Sequence, residues 1–356
     1  MERISSAATS VHVPFTQETF HGMPYRKLGS SGLRVSNIGL GTWKMGYPEK
    51  GDGSRVNEKT AFEIFDRALE LGVCFWDTAN RYNNASGNSE RVIGSWIRNN
   101  GCHRRNIIIA TKLGGCMDGR TPNHCGLSRT NILESVYASI ERLQVNYIDL
   151  LYFHAFDPLT PIEESMVAIE DLVQRDLIRY FAVSNFTVAQ LQAYLSIQHK
   201  HSVRNKIVAV QNQFDLINGE SERYLGVQEY ALKQGIGFIA WSPMVRGLLT
   251  EKYLDAGKIG AGDRLFDEGM MAQTADGSIM KKIHALTQLA HQWDMELNQL
   301  VLAYMLHLPL MGPVIPAVSN TNQLSSNAAA GTICLTQEQQ IKIKDLLQVT
   351  DNKPSI

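Results

Sequence analysis

Eight short apolar runs, rich in β-branched and aromatic residues, recur along the chain and alternate with longer stretches of helical periodicity. The predicted strands are Ser36–Gly39, Cys74–Asp77, Ile107–Thr111, Ile148–Phe153, Tyr180–Val183, Val208–Gln211, Gly237–Trp241 and Val314–Pro316. Their continuous apolar character is typical of parallel strands that helices cover from outside. Eight strands, each followed by a helix, predict a single α/β domain, a (β/α)8 TIM barrel.

The intervening segments support this organisation. Predicted helices are Lys59–Leu71, Glu90–Arg98, Arg129–Leu143, Ile162–Gln174, Val188–Ile197 and Arg223–Gln234, and Ser128 and Thr187 are candidate N-caps. The competing doubly wound sheet usually has a longer glycine-rich turn after its first strand than Gly39–Trp43 provides. We expect a flexible arm over residues 1–23 and the barrel over residues 24–356, with an outer C-terminal helix, Gln337–Leu347. The connection from Pro243 to about Asp276 is unusually long, which favours a functional loop.

Charge and cysteine content narrow the function. The 34 basic and 35 acidic residues nearly cancel, which argues against nucleic-acid or anionic-membrane partners. No apolar stretch approaches a membrane span, and the N-terminus lacks a secretory pattern. Five cysteines without a pairing pattern favour a reduced, cytoplasmic setting. Cys116, His124 and Cys125 lack the spacing of a zinc motif, so we expect no metal.

Polar residues follow three neighbouring predicted strands. Asp77, Lys112 and His154 end strands two, three and four, and Tyr82 lies in the loop after strand two. Carboxyl ends of parallel barrel strands meet on one face, so these side chains can lie together. Each also has a purely structural interpretation: a helix cap for Asp77, a rim position for Lys112, a core histidine for His154 and loop packing for Tyr82.

Together the four residues suit proton transfer to a carbonyl oxygen. A free phenol loses its proton near pH 10, and an adjacent ammonium group lowers that pKa. Lys112 can supply this charge to Tyr82, Asp77 can hold Lys112, and His154 can hydrogen-bond the substrate oxygen. Protonation of that oxygen accompanies hydride transfer to carbon, and hydride transfer requires a cofactor.

The sequence resembles the aldo-keto reductase family, particularly its bacterial and channel-subunit-like branch. The motifs that carry the resemblance are YRKLGSSGLRVSNIGLGTW, FWDTANRY, SERVIG, ATKLG, YIDLLYFH, VSNF, VQNQFDL, WSPMVRGLLTEKY and VIPAVSNTNQL, in this order over Tyr25–Leu324. The resemblance implies an NADP-dependent carbonyl reductase on a (β/α)8 barrel. Asp77, Tyr82, Lys112 and His154 match the family's catalytic tetrad, and Trp43, Tyr82 and His154 match substrate-binding positions.

The resemblance also implies the cofactor positions. They are Gly41, Thr42, Trp43, Asp77, Ser184, Asn185, Gln211, Trp241, Ser242, Pro243, Met244, Gly247, Leu249, Lys252, Arg264, Ser319, Gln323 and Asn327. Ser184, Asn185 and Gln211 would bond the nicotinamide amide and Trp241 would stack on its ring, although turn capping and ordinary packing are alternatives. Ser319 and Gln323 are neutral where many NADP-specific members carry Arg or Lys, and Ser326 replaces an acid often found beside the adenine. Lys252 and Arg264 can supply the missing charge, so we expect NADPH and accept NADH as an alternative.

The substrate prediction rests on loop residues. We expect the pocket to be lined by the loops near Met45–Arg55, Gly114–Leu127 and Asp215–Glu222, whose polar residues include Arg120, Asn123, His124 and Asn218. They favour a polar carbonyl substrate such as a sugar-derived aldehyde or ketone, or polyol oxidation in reverse. A Schiff-base aldolase using Lys112 and a cofactor-sensing regulatory subunit are the alternatives. The oligomeric state stays open.

Overall fold

The computed structural model describes residues 18–117, 120–200, 205–255, 257, 259–261, 263–271 and 277–349. Eight parallel strands follow one another around a barrel. We label them β1 Gly39–Gly41, β2 Phe75–Asp77, β3 Ile108–Leu113, β4 Ile148–Phe153, β5 Ile178–Ser184, β6 Ile207–Asp215, β7 Gly237–Trp241 and β8 Met311–Ile315. Single bridges from Ile38 to Val314 and from Gly41 to Ala317 bring β8 back to the first strand. The predicted TIM barrel is confirmed.

Helices cover the outside of the barrel. The longer ones are α1 Glu58–Glu70, α2 Asn88–Asn99, α3 Arg129–Leu143, α4 Ile162–Gln174, α5 Val188–Lys200, α6 Val227–Lys233, α7 Gly277–Gln292, α8 Leu297–Leu306, α9 Thr321–Ala330 and α10 Gln337–Val349. Ser128 caps α3, since its side chain accepts a hydrogen bond from the Asn131 N–H. Thr187 and Gln190 bond each other's backbone N–H at the start of α5, so both predicted caps are confirmed.

A three-stranded antiparallel sheet, a hairpin with one short added strand, covers the end of the barrel where the strands begin. Its strands are Thr19–Phe20, Met23–Lys27 and Arg34–Ser36, so the first predicted barrel strand, Ser36–Gly39, begins in this sheet rather than in β1. Gly29 turns the chain at φ 56°, and a Cβ there would lie 2.6 Å from the Gly237 nitrogen at the start of β7. Of the predicted arm, residues 1–17 lie outside the described residues.

Two apolar cores hold the barrel together. Phe75, Leu150 and Ile239 point into its interior with Leu28 and Val35 of the hairpin. A second, larger core lies between the strands and the helices. The interior is therefore packed, which leaves chemistry to the face where the strands end.

The strand register sets which side chains share that face. Asp77 pairs in register with Gly41 and Ala110, and Ser184 pairs with Gln211.

The long connection after β7 contains short helical turns in its described part, at Val245–Gly247, Glu251–Leu254 and Arg264–Asp267. In the described residues no helix is both long enough and apolar enough to cross a membrane.

Candidate active site

A buried lysine links the ends of β2 and β3. The Lys112 ammonium donates to Asp77 Oδ1, to the Thr78 carbonyl at 2.9 Å and to the Tyr82 hydroxyl at 2.9 Å. Lys112 and Asp77 are 1% and 2% exposed, so Lys112 is no rim residue. Both Asp77 oxygens are used by side chains, since Gln211 Nε2 donates to Oδ2 at 2.8 Å, and Asp77 therefore caps no helix.

The turn after Tyr82 has a backbone that its sequence favours. Asn83 and Asn84 have φ angles of 56° and 57°, a left-handed conformation that asparagine tolerates better than most residues. The Asn83 amide donates to the Met45 carbonyl at 2.7 Å and is buried. This turn fixes the Tyr82 hydroxyl beside Lys112.

His154 follows β4 and lies next to Tyr82. Its backbone N–H donates to the Leu113 carbonyl at 2.8 Å, and the two rings meet edge to face with centroids 5.9 Å apart. The ring Nδ1 is buried and has no hydrogen-bond partner among the described residues, unlike a satisfied core histidine. Burial, Lys112 and Arg81 together lower the pKa of His154 to about 3, so its ring stays neutral.

Burial and neighbouring charges together set the protonation of the tyrosine and the lysine. It raises the pKa of Tyr82 to about 12, although the Lys112 charge acts in the opposite direction. The expectation that Lys112 would leave this pKa below that of a free phenol is therefore wrong, because desolvation of the phenolate outweighs the attraction. Burial alone would lower the pKa of Lys112, but Asp77 and Tyr82 reverse that effect and the net pKa is raised. At neutral pH the site holds a phenol beside an ammonium ion.

Polar side chains at the ends of β5, β6 and β7 form a second, connected group. Ser184 Oγ donates to the Gln211 carbonyl at 2.8 Å. The Asn185 amide donates to the His154 carbonyl at 2.8 Å and accepts from Trp241 Nε1 at 3.1 Å. Since Gln211 also bonds Asp77, this group is joined directly to the lysine and tyrosine.

The segment after β7 has several left-handed residues. Ser242, Val245 and Arg246 have φ angles of 58°, 47° and 57°. Gly247 and Leu249 donate their N–H groups to the Met244 carbonyl, at 2.8 and 3.3 Å. Pro243 lies between Ser242 and Met244 in this turn.

The two predicted phosphate-binding cations have acidic partners. Lys252 pairs with Asp263, and Arg264 Nε donates to Glu268 at 2.9 Å. The Arg264 guanidinium lies 4.3 Å from the centre of the Trp43 ring, so the long connection reaches the loop after β1. In that loop Thr42 Oγ1 donates to the Asp77 carbonyl at 3.0 Å, and its neighbour Gly41 belongs to β1.

The predicted adenosine positions begin α9. The Ser319 N–H and hydroxyl both donate hydrogen bonds to Gln323 Oε1, at 2.8 and 3.1 Å. Asn327 accepts from the Asn298 amide at 2.9 Å. Ser326 donates to Glu296, at the start of α8, so a carboxylate from another helix reaches the position where the sequence lacks one.

A cleft of about 810 Å³ opens outward from His154. It is lined partly by the predicted loop, including Gly114, Asn123 and Leu127, and also by Asn185. Trp43 and Tyr82 are not among the described residues that line it. Asn218 is folded onto its own loop, since its amide donates to Asp215 at 3.0 Å.

Two arginines that were not predicted from the sequence also line this cleft. Arg81 precedes Tyr82, and Arg223 follows the predicted loop Asp215–Glu222 by one residue. The position of Arg81 inside the FWDTANRY motif was the available signal. For Arg223 the only signal was that it is a cation next to a loop expected to reach the pocket.

The expectation that the cysteines are unpaired is wrong for two of them. Cys116 and Cys125 form a disulfide across the loop after β3, whereas Cys74, Cys102 and Cys334 are free. Both paired cysteines line the cleft. Cysteine content therefore no longer argues for a reduced compartment.

Comparison with known proteins agrees with the geometry. The sequence model described as "Aldo/keto reductase family" matches residues 37–348. The chain belongs to the aldo/keto reductase family. Members of this family are oxidoreductases that act on small carbonyl compounds with nicotinamide cofactors.

Individual relatives include both enzymes and channel-subunit proteins. An aldo-keto reductase of Alternaria alternata, AMT2, is 31% identical over 349 residues, which is 90% of each chain. The versiconal hemiacetal acetate reductase of Aspergillus parasiticus is 30% identical over 340 residues, 89% of this chain and 95% of the relative. A probable voltage-gated potassium channel subunit beta of Oryza sativa subsp. japonica is 29% identical over 331 residues, 92% of this chain and 97% of the relative.

Proposed function

We propose that this aldo/keto reductase reduces an aldehyde or ketone to an alcohol with NADPH, and that Tyr82 donates the proton. One observation carries the proposal: the Lys112 ammonium bridges Asp77 and the Tyr82 hydroxyl in a buried site next to His154. A phenol held against a buried ammonium ion is suited to protonating a carbonyl oxygen.

Each residue has a distinct role in this mechanism. Tyr82 keeps its proton at neutral pH, since its pKa of about 12 lies far above 7, so it can act as a donor. The Lys112 hydrogen bond stabilises the phenolate that forms as the proton leaves, and Asp77 keeps Lys112 charged. The neutral His154 ring can hydrogen-bond the substrate oxygen without competing for its proton. A nicotinamide, when bound, supplies the hydride to the carbonyl carbon.

The strand ends fit the cofactor. Ser184, Asn185 and Gln211 supply amide and hydroxyl groups at adjoining strand ends, which is the chemistry that recognises a carboxamide, and Trp241 supplies a flat ring beside them. Lys252 and Arg264 supply positive charge for phosphates, while Ser319 and Gln323 are neutral. We therefore propose NADPH as the preferred cofactor, with NADH as a weaker alternative.

The substrate we propose is a polar carbonyl compound, such as a sugar-derived aldehyde or ketone. Its support is the mixture of Asn123, His154 and arginine side chains along the cleft. The reverse reaction would oxidise the corresponding polyol.

The test is NADPH oxidation, followed by absorbance, against a panel of aldehydes, ketones and sugars. Tyr82→Phe should lower kcat by about 10²–10⁴-fold while NADPH binding, measured by fluorescence, persists. Tyr137→Phe is the matched control, because Tyr137 lies 47% exposed on α3. Equal turnover in Tyr82→Phe and wild type would rule out this mechanism.

A cofactor-sensing regulatory subunit is the second candidate. The similarity to the probable channel subunit beta of Oryza sativa favours it. Tight NADPH binding with negligible turnover on every carbonyl of the panel would support this role instead.

A further inference from the structure

The cleft outside His154 carries positive charge from two different loops. Arg81 comes from the loop after β2 and Arg223 from the connection between β6 and β7. Neither contacts the reacting groups in the hydride-transfer mechanism above, although the Arg81 charge helps to keep the His154 ring neutral. Their shared cleft raises the question of which substrates they select.

The Arg81 side chain packs over a glycine in the cleft wall, Gly115. A Cβ on Gly115 would lie 2.3 Å from Arg81 Cδ, 2.9 Å from Nε and 3.0 Å from Nη1. The arginine side chain therefore lies directly over the Gly115 backbone, in space that any other residue would fill. Its charge acts on the neighbouring His154 ring, whose pKa it helps to lower.

Arg223 is placed on the side of the cleft that holds Asn185. Its guanidinium lies 5.5 Å from the centre of the Tyr224 ring. The Tyr224 hydroxyl in turn reaches Asn185 Oδ1 at 3.5 Å. A substrate bound at His154 thus has a cation near the loop after β2 and another near the strand ends β5 and β6.

Carboxylates in the cleft do little to neutralise these two arginines. Asp157 also lines the cleft, but its carboxylate already accepts from the Leu127 N–H at 2.7 Å, the Leu159 N–H at 2.8 Å and the Thr160 hydroxyl at 2.7 Å. Within the described part of the chain, neither Arg81 nor Arg223 forms an ion pair with an acid. Both are exposed, so their donors are available to a ligand.

We infer that the substrate is a carbonyl compound carrying an oxyanion group, a carboxylate or a phosphate, and that Arg81 binds this group with assistance from Arg223. The inference rests on the proposed reductase function and narrows its substrate. A planar guanidinium binds both oxyanions through two parallel hydrogen bonds, which a neutral sugar hydroxyl cannot match. The reacting carbonyl lies at His154 while the anion lies farther out in the cleft.

Matched substrate pairs test the inference. The pairs are 4-carboxybenzaldehyde with 4-methylbenzaldehyde, and glyceraldehyde 3-phosphate with glyceraldehyde, each compared by kcat/KM under saturating NADPH. Wild type should favour the anionic member of at least one pair by about tenfold or more, and the pair that shows it identifies the anion. The preference should shrink as salt is raised.

Variants locate the anion site. Arg81→Gln should reduce the anionic-to-neutral ratio by about tenfold, mainly through KM of the anionic substrate, and Arg81→Lys should give an intermediate ratio because it keeps charge but loses the fork. Arg223→Gln should reduce the ratio less. Arg105→Gln is the control, since Arg105 is exposed just before β3, at the opposite end of the barrel.

Other outcomes would overturn the inference or separate it from the proposed function. Efficient turnover with no preference in either pair, or a preference unchanged in Arg81→Gln, would overturn it while leaving the reductase intact. If no carbonyl is turned over, the reductase proposal fails, and calorimetry with 4-(hydroxymethyl)benzoate and 4-methylbenzyl alcohol decides the binding question. Tighter binding of the carboxylate that is lost in Arg81→Gln would uphold the anion site, and equal binding of the two would reject it.

Discussion

The proton-transfer corner and the segment proposed to bind cofactor phosphate are built in opposite ways. The Lys112–Asp77 side chains are 1% and 3% exposed, and both groups have further partners. The Lys252–Asp263 side chains are 50% and 8% exposed, and those of Arg264 and Glu268 are 22% and 28%. A buried ion pair is costly to break, whereas pairs that are partly open to solvent contribute less and can be exchanged. The first region is therefore fixed before any ligand binds, and the second has cations that a phosphate can take over.

The variant expected to show the largest effect is Lys112→Met. The change removes the donor to Tyr82 and leaves the Asp77 charge buried without its partner. We expect kcat to fall by about 10²–10⁴-fold and the free energy of unfolding to fall by about 3–5 kcal/mol. Steady-state kinetics and urea unfolding measure the two effects.

A double variant separates activity from stability. Asp77→Asn combined with Lys112→Met removes the uncompensated charge, so stability should largely return while activity stays low. If Lys112→Met alone unfolds at the same urea concentration as wild type, the corner is not the rigid buried unit described above.

The same contrast explains which features of the fold and the site could be predicted from the sequence. Strand positions and the order Asp77, Lys112, His154 follow from apolar runs and parallel topology, so the fold and the meeting of these groups could be predicted. The net pKa of Tyr82 could not, because desolvation depends on how completely the barrel face covers the phenol. The Cys116–Cys125 pair could not either, since it depends on the path of a loop and not on a spacing pattern.

For the cleft, position inside a motif indicated that Arg81 lies near Tyr82 but not where its side chain points. Arg81 lies next to Tyr82 in sequence, yet its direction is set by the absence of a side chain at Gly115, thirty-four positions later. Glu296 reaches Ser326 from the start of another helix. Contacts of this kind join loops whose conformations no local periodicity encodes.

The second test concerns the segment after β7 that is proposed to bind cofactor phosphate. Arg264→Gln and Lys252→Gln should each raise KM for NADPH by roughly tenfold, because a charge-assisted phosphate contact is lost, while kcat changes little. Thermal unfolding should change less than in Lys112→Met, since ion pairs that are partly open to solvent contribute less to stability than a fully buried pair. Lys233→Gln is the matched control, because it breaks another exposed ion pair, with Glu229, on α6. Unchanged KM for NADPH in both test variants would exclude these residues as phosphate ligands.

A smaller effect should follow from salt. Raising ionic strength from about 0.05 to 0.5 M screens charges in water far more than charges buried together. KM for NADPH should therefore rise a few-fold, while the Tyr82-dependent kcat stays constant. A kcat that falls in parallel with NADPH affinity would mean that the Lys112–Tyr82 contact is open to solvent ions.

The smallest expected effect is that of pH on the buried corner. The pKa of His154 is lowered to about 3, so its neutral form persists as pH falls to 5, and the pKa of Tyr82 is raised to about 12, so its proton persists as pH rises to 9. Neither group changes charge between these limits, and kcat for reduction of 4-methylbenzaldehyde should vary by less than about threefold across them. A neutral aldehyde is the right probe, because its own charge cannot titrate. An ascending or descending limb with a midpoint near pH 6.5 would show that His154 changes charge in the working enzyme, which the lowered pKa of its ring excludes.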